Sequence, residues 1–154
     1  MNKELQQYLF VNFKWFNYPT IKNRPIMPIQ LGIDCNDGWF NLIKLLAEDI
    51  DKELKTLPKK IKKDFYVDQI KEKFGGLRFY TSFTPNEKIG DLINKAEEDS
   101  YLICENCGKP GKLRDNIPWA LTLCDKCLIK YKKEKGVIKW PTITNYVQLL
   151  NNNI

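Results

Sequence analysis

Histidine is absent from this 154-residue chain. Because histidine is the commonest general base near neutral pH and a frequent metal ligand, its absence excludes the usual nucleophile-activating pairs and every metal site that contains an imidazole. An enzyme built on this sequence would have to use carboxylates, lysine, tyrosine or a magnesium ion. A Walker-type glycine loop is also missing, and Gly75-Gly76 is too short to cradle phosphates alone.

Long apolar runs are absent as well. No segment approaches the roughly 18 apolar residues that a membrane-spanning helix requires. The opening MNKELQQYLF carries acidic and polar residues where a signal peptide has a continuous hydrophobic segment. We therefore expect a protein of the cytoplasm, where thiols stay reduced and paired cysteines are more often metal ligands or redox centres than disulfides.

Arginine is scarce, although the chain is basic. Its formal net charge is +6, and its 25 basic residues comprise 22 lysines and three arginines: Arg24, Arg78 and Arg114. The abundance of lysine, asparagine and isoleucine is what an AT-rich genome supplies, so the charge by itself is weak evidence for a nucleic-acid partner. The length and the 43% hydrophobic content fit one domain, residues 1–154, with its own core.

Hydrophobic periodicity predicts an α+β fold. A short amphipathic helix is expected over residues 3–16, and a proline-interrupted connector follows. The alternation at 29–33 suggests a brief strand. Asn36 or Asp37 then caps a second helix, whose core stripe is Trp39, Ile43, Leu46, Ile50 and Leu54.

The stretch VDQIKEKFGGLRFY, residues 67–80, predicts a β-hairpin. Gly75 and Gly76 would occupy a two-residue type I′ turn, since both central positions of that turn have positive φ. The resulting register pairs Phe74 with Leu77, Lys73 with Arg78, Glu72 with Phe79 and Lys71 with Tyr80. A helix over 67–74 with Gly75 just past its end is the local alternative.

The predicted hairpin has two chemically different faces. The apolar face carries Ile70, Phe74, Leu77, Phe79 and Phe83. The other face carries Lys71, Lys73, Arg78 and Tyr80, in which cations surround an aromatic ring. These four residues are a candidate ligand site, although a charged sheet face that only keeps the protein soluble is the simpler interpretation.

A third helix is predicted to start at Thr84, with Pro85 and Glu87 completing a capping box. Its buried face would be Ile89, Leu92, Ile93 and Ala96. Another short helix is expected over 128–136, ending at Gly136. The C-terminal segment, with Trp140 and Tyr146, is expected to pack back on the body.

Four of the five cysteines form two pairs, Cys104-x-x-Cys107 and Cys124-x-x-Cys127, separated by PGKLRD and PWALTLC segments. This spacing predicts a four-cysteine zinc site in a zinc-ribbon or knuckle subdomain, residues 102–135. Two disulfides would need an oxidising compartment, and a thioredoxin-like centre would have one pair. A site with four protein ligands is closed, so we expect a structural role. The fifth cysteine, Cys35, is interpreted as a packing residue rather than a reactive thiol.

Three segments together resemble a family of small proteins common in bacteriophage and prophage genomes: CNDGWFNLI at 35–43, VDQIKEKFGGLRFY at 67–80, and the cysteine pairs at 104–127. The resemblance implies a phage-encoded protein that works in the cytoplasm of a bacterial host. It transfers no catalytic residue. Small accessory phage proteins often block a host defence component, so counter-defence is the role that this origin implies.

These observations favour a non-enzymatic zinc-binding module that binds a host protein or a nucleic acid. If the partner is a nucleic acid, the lysines at 59–63 and 130–135 are expected to contact phosphates. The alternative is capture of a small anionic, nucleotide-type ligand by Lys71, Lys73, Arg78 and Tyr80. A metal-dependent nuclease ranks last, because Glu53-x-Lys55 lacks a recognisable preceding aspartate motif.

Overall fold

The computed structural model describes residues 1–17 and 26–136. It combines helices with two small antiparallel sheets, which confirms the α+β class. The helices are α1 (Lys3–Asn12), α2 (Phe40–Thr56), α3 (Lys59–Asp64), α4 (Glu87–Ser100) and α5 (Asp125–Glu134). The strands are β1 (Val67–Lys73), β2 (Gly76–Thr81), β3 (Lys112–Arg114) and β4 (Leu121–Leu123), and 3₁₀ turns lie at Lys14–Phe16, Pro28–Leu31 and Asp37–Trp39. The connector at 18–25 and the predicted packing of the C-terminal segment lie outside the described residues.

The strand predicted at 29–33 is wrong, because Pro28–Leu31 forms a 3₁₀ turn that ends at Gly32 with a φ of 109°. Ile29 is buried, whereas Leu31 is 83% exposed. Proline in the first turn removes an amide donor that a strand would use, and a glycine in this conformation ends the segment. Only Asp34 joins the sheet, through a parallel bridge beside β1.

The predicted stripe of the second helix is confirmed, since all five residues are buried: Trp39 in the preceding 3₁₀ turn, and Ile43, Leu46, Ile50 and Leu54 in α2. The predicted cap is wrong, because the N-cap of α2 is Trp39, and Asn36 precedes the 3₁₀ turn without a side-chain capping bond. The indole Nε1 of Trp39 donates to the carbonyl of Ile103 at 2.9 Å. This bond links the start of α2 to the segment that enters the first cysteine pair.

The hairpin is confirmed and the helical alternative over 67–74 is excluded, but the register differs from the prediction. The turn is Phe74-Gly75, with φ of 55° and 80°, and Lys73 pairs with Gly76 instead of Arg78. Gly76 belongs to the strand because Tyr101 packs on it: a Cβ there would lie 2.4 Å from the ring. Tertiary packing therefore moves the turn by one residue.

Each β1 residue with a predicted partner pairs with a β2 residue two positions earlier than predicted. Because side chains alternate between the faces of a strand, a shift of two residues leaves the composition of the two faces unchanged. Ile70, Leu77 and Phe79 are buried on one face, and Lys71, Lys73, Arg78 and Tyr80 share the other. Phe74 was assigned to the apolar face and this is wrong, since it lies in the turn and is 65% exposed.

Both edges of the hairpin are covered. On the β2 edge, Ser100 Oγ and Glu97 Oε1 of α4 each accept a hydrogen bond of 2.9 Å, from the amides of Leu77 and Phe79 respectively. On the β1 edge, Asp34 donates to the carbonyl of Ile70 and accepts from the amide of Glu72. Pairing these amides leaves little free edge for another strand.

Helix α4 begins two residues later than predicted. Its N-cap is Asn86, not Thr84, and the Asn86 side chain accepts from the amide of Ile89 at 3.0 Å. The same side chain donates to Glu53 on α2, so a tertiary contact selects the cap. Ile89, Ile93 and Ala96 are buried as predicted, and Leu92 is partly buried.

The smaller sheet pairs β3 with β4 and leads directly into α5. Helix α5 begins at Asp125, inside the second cysteine pair, rather than at residue 128. It ends at Glu134, and Gly136 has a φ of 57°. Across the described ranges, no helix is both long enough and apolar enough to cross a membrane.

Candidate metal centre

The four paired cysteines meet at one point. The Sγ atoms of Cys104, Cys107, Cys124 and Cys127 all lie within 4.8 Å of one another. The Sγ atoms of Cys107 and Cys124 are 3.7 Å apart. The four cysteines lie at different depths, since Cys104 is fully buried whereas Cys107 is exposed.

The first pair lies on a tight turn. The amide of Gly108 donates to the carbonyl of Cys104 at 2.8 Å, and the amide of Cys104 donates to the carbonyl of Lys109 at 2.8 Å. Gly108 has a φ of 72°, a conformation that glycine adopts without strain. The glycine directly after the pair therefore closes a knuckle that directs both thiols to one side.

The second pair lies at a helix N-terminus. Cys124 is the N-cap of α5, and its Sγ accepts from the amide of Cys127 at 3.5 Å. This N–H donor lowers the pKa of the Cys124 thiol to about 7, whereas burial raises the pKa of Cys127. Arg114 binds both the Leu123 carbonyl and Asp125, which fastens the β3–β4 hairpin to α5.

This donor set fits a tetrahedral metal ion. Four thiols from a knuckle and a helix start converge, and thiolate ligands favour soft or borderline ions such as Zn²⁺. The four cysteines together would fill a tetrahedral shell and leave no position for water or substrate. The chain thus carries a four-cysteine group able to hold a metal ion.

The metal centre is docked on the body by backbone contacts from distant segments. The amide of Gly38 donates to the carbonyl of Glu105 at 2.7 Å, and the amide of Glu105 donates to the carbonyl of Thr122 at 2.9 Å. Thr122 Oγ1 in turn donates to the carbonyl of Gly75 at 2.6 Å. Residues 35–39, the tip of the hairpin and the cysteine segment therefore meet in one place.

The predicted ligand face is only partly available to an anion. Lys71 Nζ lies 5.7 Å from the centroid of the Tyr80 ring, while Lys73 lies over the ring of Phe74. The half-buried Arg78 guanidinium contacts Tyr101 Oη and pairs with Glu97. Since the one arginine already has a carboxylate partner, the site at Lys71, Lys73, Arg78 and Tyr80 stays a prediction.

The structure gives two other candidates, Cys35 and Glu53, structural roles. Cys35 is 6% exposed, and burial raises the pKa of its thiol to about 12, as suits a packing residue. Glu53 binds Asn86 and Lys88 instead of approaching Lys55, which pairs with Asp51.

The lysine run at 55–63 forms the end of α2 and most of α3. Lys62 and Lys63 border a cleft of about 280 Å³ together with Lys14 and Trp15. This cleft lies on α2 and α3, and its lining includes no residue of the cysteine segment.

Sequence reasoning missed three residues beside the metal centre: Phe74, Glu105 and Trp119. Trp119 is 60% exposed, and its indole Nε1 donates to Glu72 Oε2 at 3.0 Å. Glu105, between the two cysteines of the first pair, is only 2% exposed. An exposed tryptophan and a buried glutamate could not be told apart from ordinary surface residues by spacing alone.

These features define an α+β protein with a group of four close cysteines that could hold a metal ion. No family model, curated protein or solved structure matches the chain.

Proposed function

We propose that this protein is a non-enzymatic, zinc-dependent module that binds a protein partner. The zinc-ribbon or knuckle site formed by Cys104, Cys107, Cys124 and Cys127 is structural in this proposal. Its support is the closed donor set, because four sulfur ligands leave no coordination position for a substrate. Zinc would order the segment between the pairs, which carries Leu113 and Trp119.

The observation that carries the binding function is the position of Phe74. This residue has a φ of 55°, in the left-handed region that disfavours a side chain, yet its ring is 65% exposed. Folding gains little from an exposed ring in a strained turn, and such strain is concentrated at functional positions.

Two further exposed apolar side chains lie beside this turn. Leu113 is 42% exposed and approaches Gly75, and the Trp119 indole is bonded to Glu72 of β1. We call Phe74, Leu113 and Trp119 the hairpin-tip surface. Exposed aromatic side chains of this kind are enriched at the centres of protein interfaces.

Charge favours a protein over a nucleic acid at this surface. Glu72 bonds to Trp119 and therefore places a carboxylate against its indole. A carboxylate repels phosphate, and the exposed lysines are not concentrated at this surface: Lys73 and Lys112 adjoin Phe74 and Leu113, whereas others lie on α3 and α5. Together with the resemblance to phage proteins, this supports a host protein as the partner and interference with host defence as the role.

The test is retention of bacterial proteins on immobilised protein. We expect a host protein to bind the wild type and to be lost with Trp119→Ala. Leu45→Ala, which removes another exposed side chain from α2, is the matched control and should retain it.

Washing at about 50 and then about 500 mM salt separates the partner classes, since nucleic-acid binding falls steeply with salt. A protein interface at the hairpin tip should survive the higher concentration. Retention of nucleic acid alone, lost at high salt and unaffected by Trp119→Ala, would contradict the proposal.

A further inference from the structure

A pocket of about 430 Å³ lies beside the hairpin-tip surface, where the body meets the metal centre. Its walls come from five separate parts of the chain. The residues that line it are Met1, Asp34, Cys35, Asn36, Glu72, Glu105, Trp119 and Leu121. Three of these are carboxylates, in a protein whose overall charge is +6.

The three carboxylates lie at different depths. Glu105 is 2% exposed, Glu72 is half-buried, and Asp34 is exposed at the rim. None of the ion pairs within residues 1–17 and 26–136 includes any of the three. The acidic side chains of the pocket, from its rim to its interior, therefore have no lysine or arginine partner among the described residues.

Glu105 has one oxygen satisfied and one unsatisfied. Its Oε1 accepts from the backbone amide and the side-chain amide of Asn36, at 2.9 and 3.1 Å. Its Oε2 is buried and has no hydrogen-bond partner among the described residues. Burying a carboxylate oxygen without a donor costs free energy, so Glu105 Oε2 is an unsatisfied acceptor in the wall of the pocket.

The backbone nitrogen of Met1 also lies at this pocket. It donates to the carbonyls of Ile33 and Cys35 and leaves Glu105 Oε2 unpartnered.

The spacing of the carboxylates argues against one directly bound metal ion. Across the described part of the chain, the four cysteines are the only group of three or more acidic, cysteine or histidine side chains whose ligand atoms lie within 4.8 Å of one another. Asp34, Glu72 and Glu105 are therefore too far apart to share one ion. A larger cation with several donors is required to reach more than one of them.

We propose that this pocket binds a guanidinium group, the side chain of an arginine on the protein partner. A guanidinium presents five N–H donors in a plane, which suits carboxylates on different walls better than a compact ammonium does. It also stacks on aromatic faces, and Trp119 stands exposed at the pocket with its indole bonded to Glu72. The inference rests on the proposed function, because it assigns one anchor residue of the same partner.

The experiment uses the zinc-loaded full chain and a small probe, Nα-acetyl-arginine methylamide, so that no partner is needed. Binding is followed by NMR through the indole N–H signal of Trp119, assigned with Trp119→Phe, and the amide signals of residues 34–36 and 105. The matched probe is the citrulline analogue, which has nearly the same shape without the charge. We expect the arginine probe to shift these signals and the citrulline probe to leave them unchanged.

Two variants test the carboxylates. Glu105→Gln keeps an acceptor for Asn36 and should weaken arginine binding about tenfold, since a charge-assisted hydrogen bond is lost. Asp34→Asn changes an exposed residue at the rim and should also weaken arginine binding. This variant tests the inference even if Glu105→Gln does not fold. Glu98→Gln, an exposed residue of α4, should leave the affinity unchanged.

Several results would overturn the inference. Equal binding of the arginine and citrulline probes would show that the positive charge is not recognised. Equal binding of a lysine probe would show that the pocket does not select a guanidinium group. Shifts caused by Mg²⁺ but not by arginine would make the pocket a cation site of another kind. If the arginine probe fails while a host protein still requires Trp119, the proposed function stands and only the pocket assignment is wrong.

Discussion

The backbone amide of Gly38 donates a hydrogen bond of 2.7 Å to the carbonyl of Glu105, which places the start of α2 against the first cysteine turn. The approach leaves no space for a side chain. A Cβ on residue 38 would lie 2.2 Å from the Cys104 carbonyl oxygen and 2.4 Å from that of Glu105. Because both neighbours are backbone atoms, neither can move without shifting the metal centre.

Gly38→Ala is therefore expected to lower the free energy of unfolding by about 1–3 kcal/mol, the usual effect of overpacking. It should also weaken metal retention, since the displaced atoms belong to the knuckle. Urea denaturation and native mass spectrometry measure the two effects. Gly90→Ala is the control: its Cβ would meet only Thr84 Cγ2 at 3.4 Å, and alanine within α4 should raise stability by about 0.5–1 kcal/mol. Equal stability of Gly38→Ala and wild type would contradict the tight docking.

Removal of one cysteine ligand is expected to unfold the metal subdomain. Wild-type protein should carry one zinc ion per chain, whereas Cys107→Ser and Cys124→Ser should lose it and lose amide protection over residues 104–127. Zinc binding to comparable small sites is worth about 10–16 kcal/mol, so the effect should be large. Native mass spectrometry and hydrogen exchange report the two losses.

Cys35→Ser provides the matched control for these ligand variants. Cys35 is buried outside the four-cysteine group, so its variant should keep one zinc ion per chain. Retained zinc and unchanged thermal stability in both ligand variants would contradict the metal assignment.

Glu53 supplies a pH-dependent contribution to stability. The Lys88 ammonium, followed by the Asn86 amide, lowers the pKa of this carboxyl below its ordinary value of 4.5. A group whose pKa is lower in the folded protein stabilises it above the unfolded pKa, and the benefit is lost as the pH falls through the folded pKa. Glu53→Gln should therefore be less stable than wild type at about pH 7, and the difference should shrink by about pH 3.5.

Urea denaturation at both pH values measures this difference. Glu98→Gln, on the exposed side of α4, is the control and should follow wild type at each pH. A Glu53→Gln deficit that grows on acidification would have the wrong sign for a lowered pKa.

Local patterns in the sequence predicted the parts of the fold that depend on local chemistry. The stripe of α2 and the two faces of the hairpin follow from periodicity, and the faces survive because a partner shift of two residues preserves them. The turn itself could not be predicted, since the space beside Gly76 is taken by Tyr101, the residue directly after α4. The cap at Asn86 was missed for the same reason, because its side chain is also held by Glu53.

The same difference between local and tertiary information applies to the candidate site. The cysteine pairs are recognisable because their spacing alone brings sulfurs to one ion. The pocket is not recognisable, because Asp34, Glu72, Glu105 and Trp119 meet only after α2, the hairpin and the metal centre have docked. Glu72 lies opposite Leu77, on the buried face of the hairpin, and its carboxylate is satisfied there because it accepts from the amide of Gly75 and from Trp119.

The residue at position 74 tests whether the turn is shaped for stability or for binding. Type I′ turns favour asparagine before glycine, because asparagine adopts positive φ at lower cost than other side chains. Phe74→Asn is therefore expected to raise the free energy of unfolding by about 1 kcal/mol. The same change removes an exposed ring and should abolish retention of the host protein.

Phe74→Ala separates the two effects, because it removes the ring and keeps a side chain that disfavours positive φ. Its stability should stay close to that of wild type, whereas its loss of binding should match that of Phe74→Asn. Urea denaturation and the retention assay measure both quantities on the same preparations. If both variants were instead less stable than wild type by 1 kcal/mol or more, the ring would be a packing residue, and the hairpin-tip surface would lose the observation that supports it.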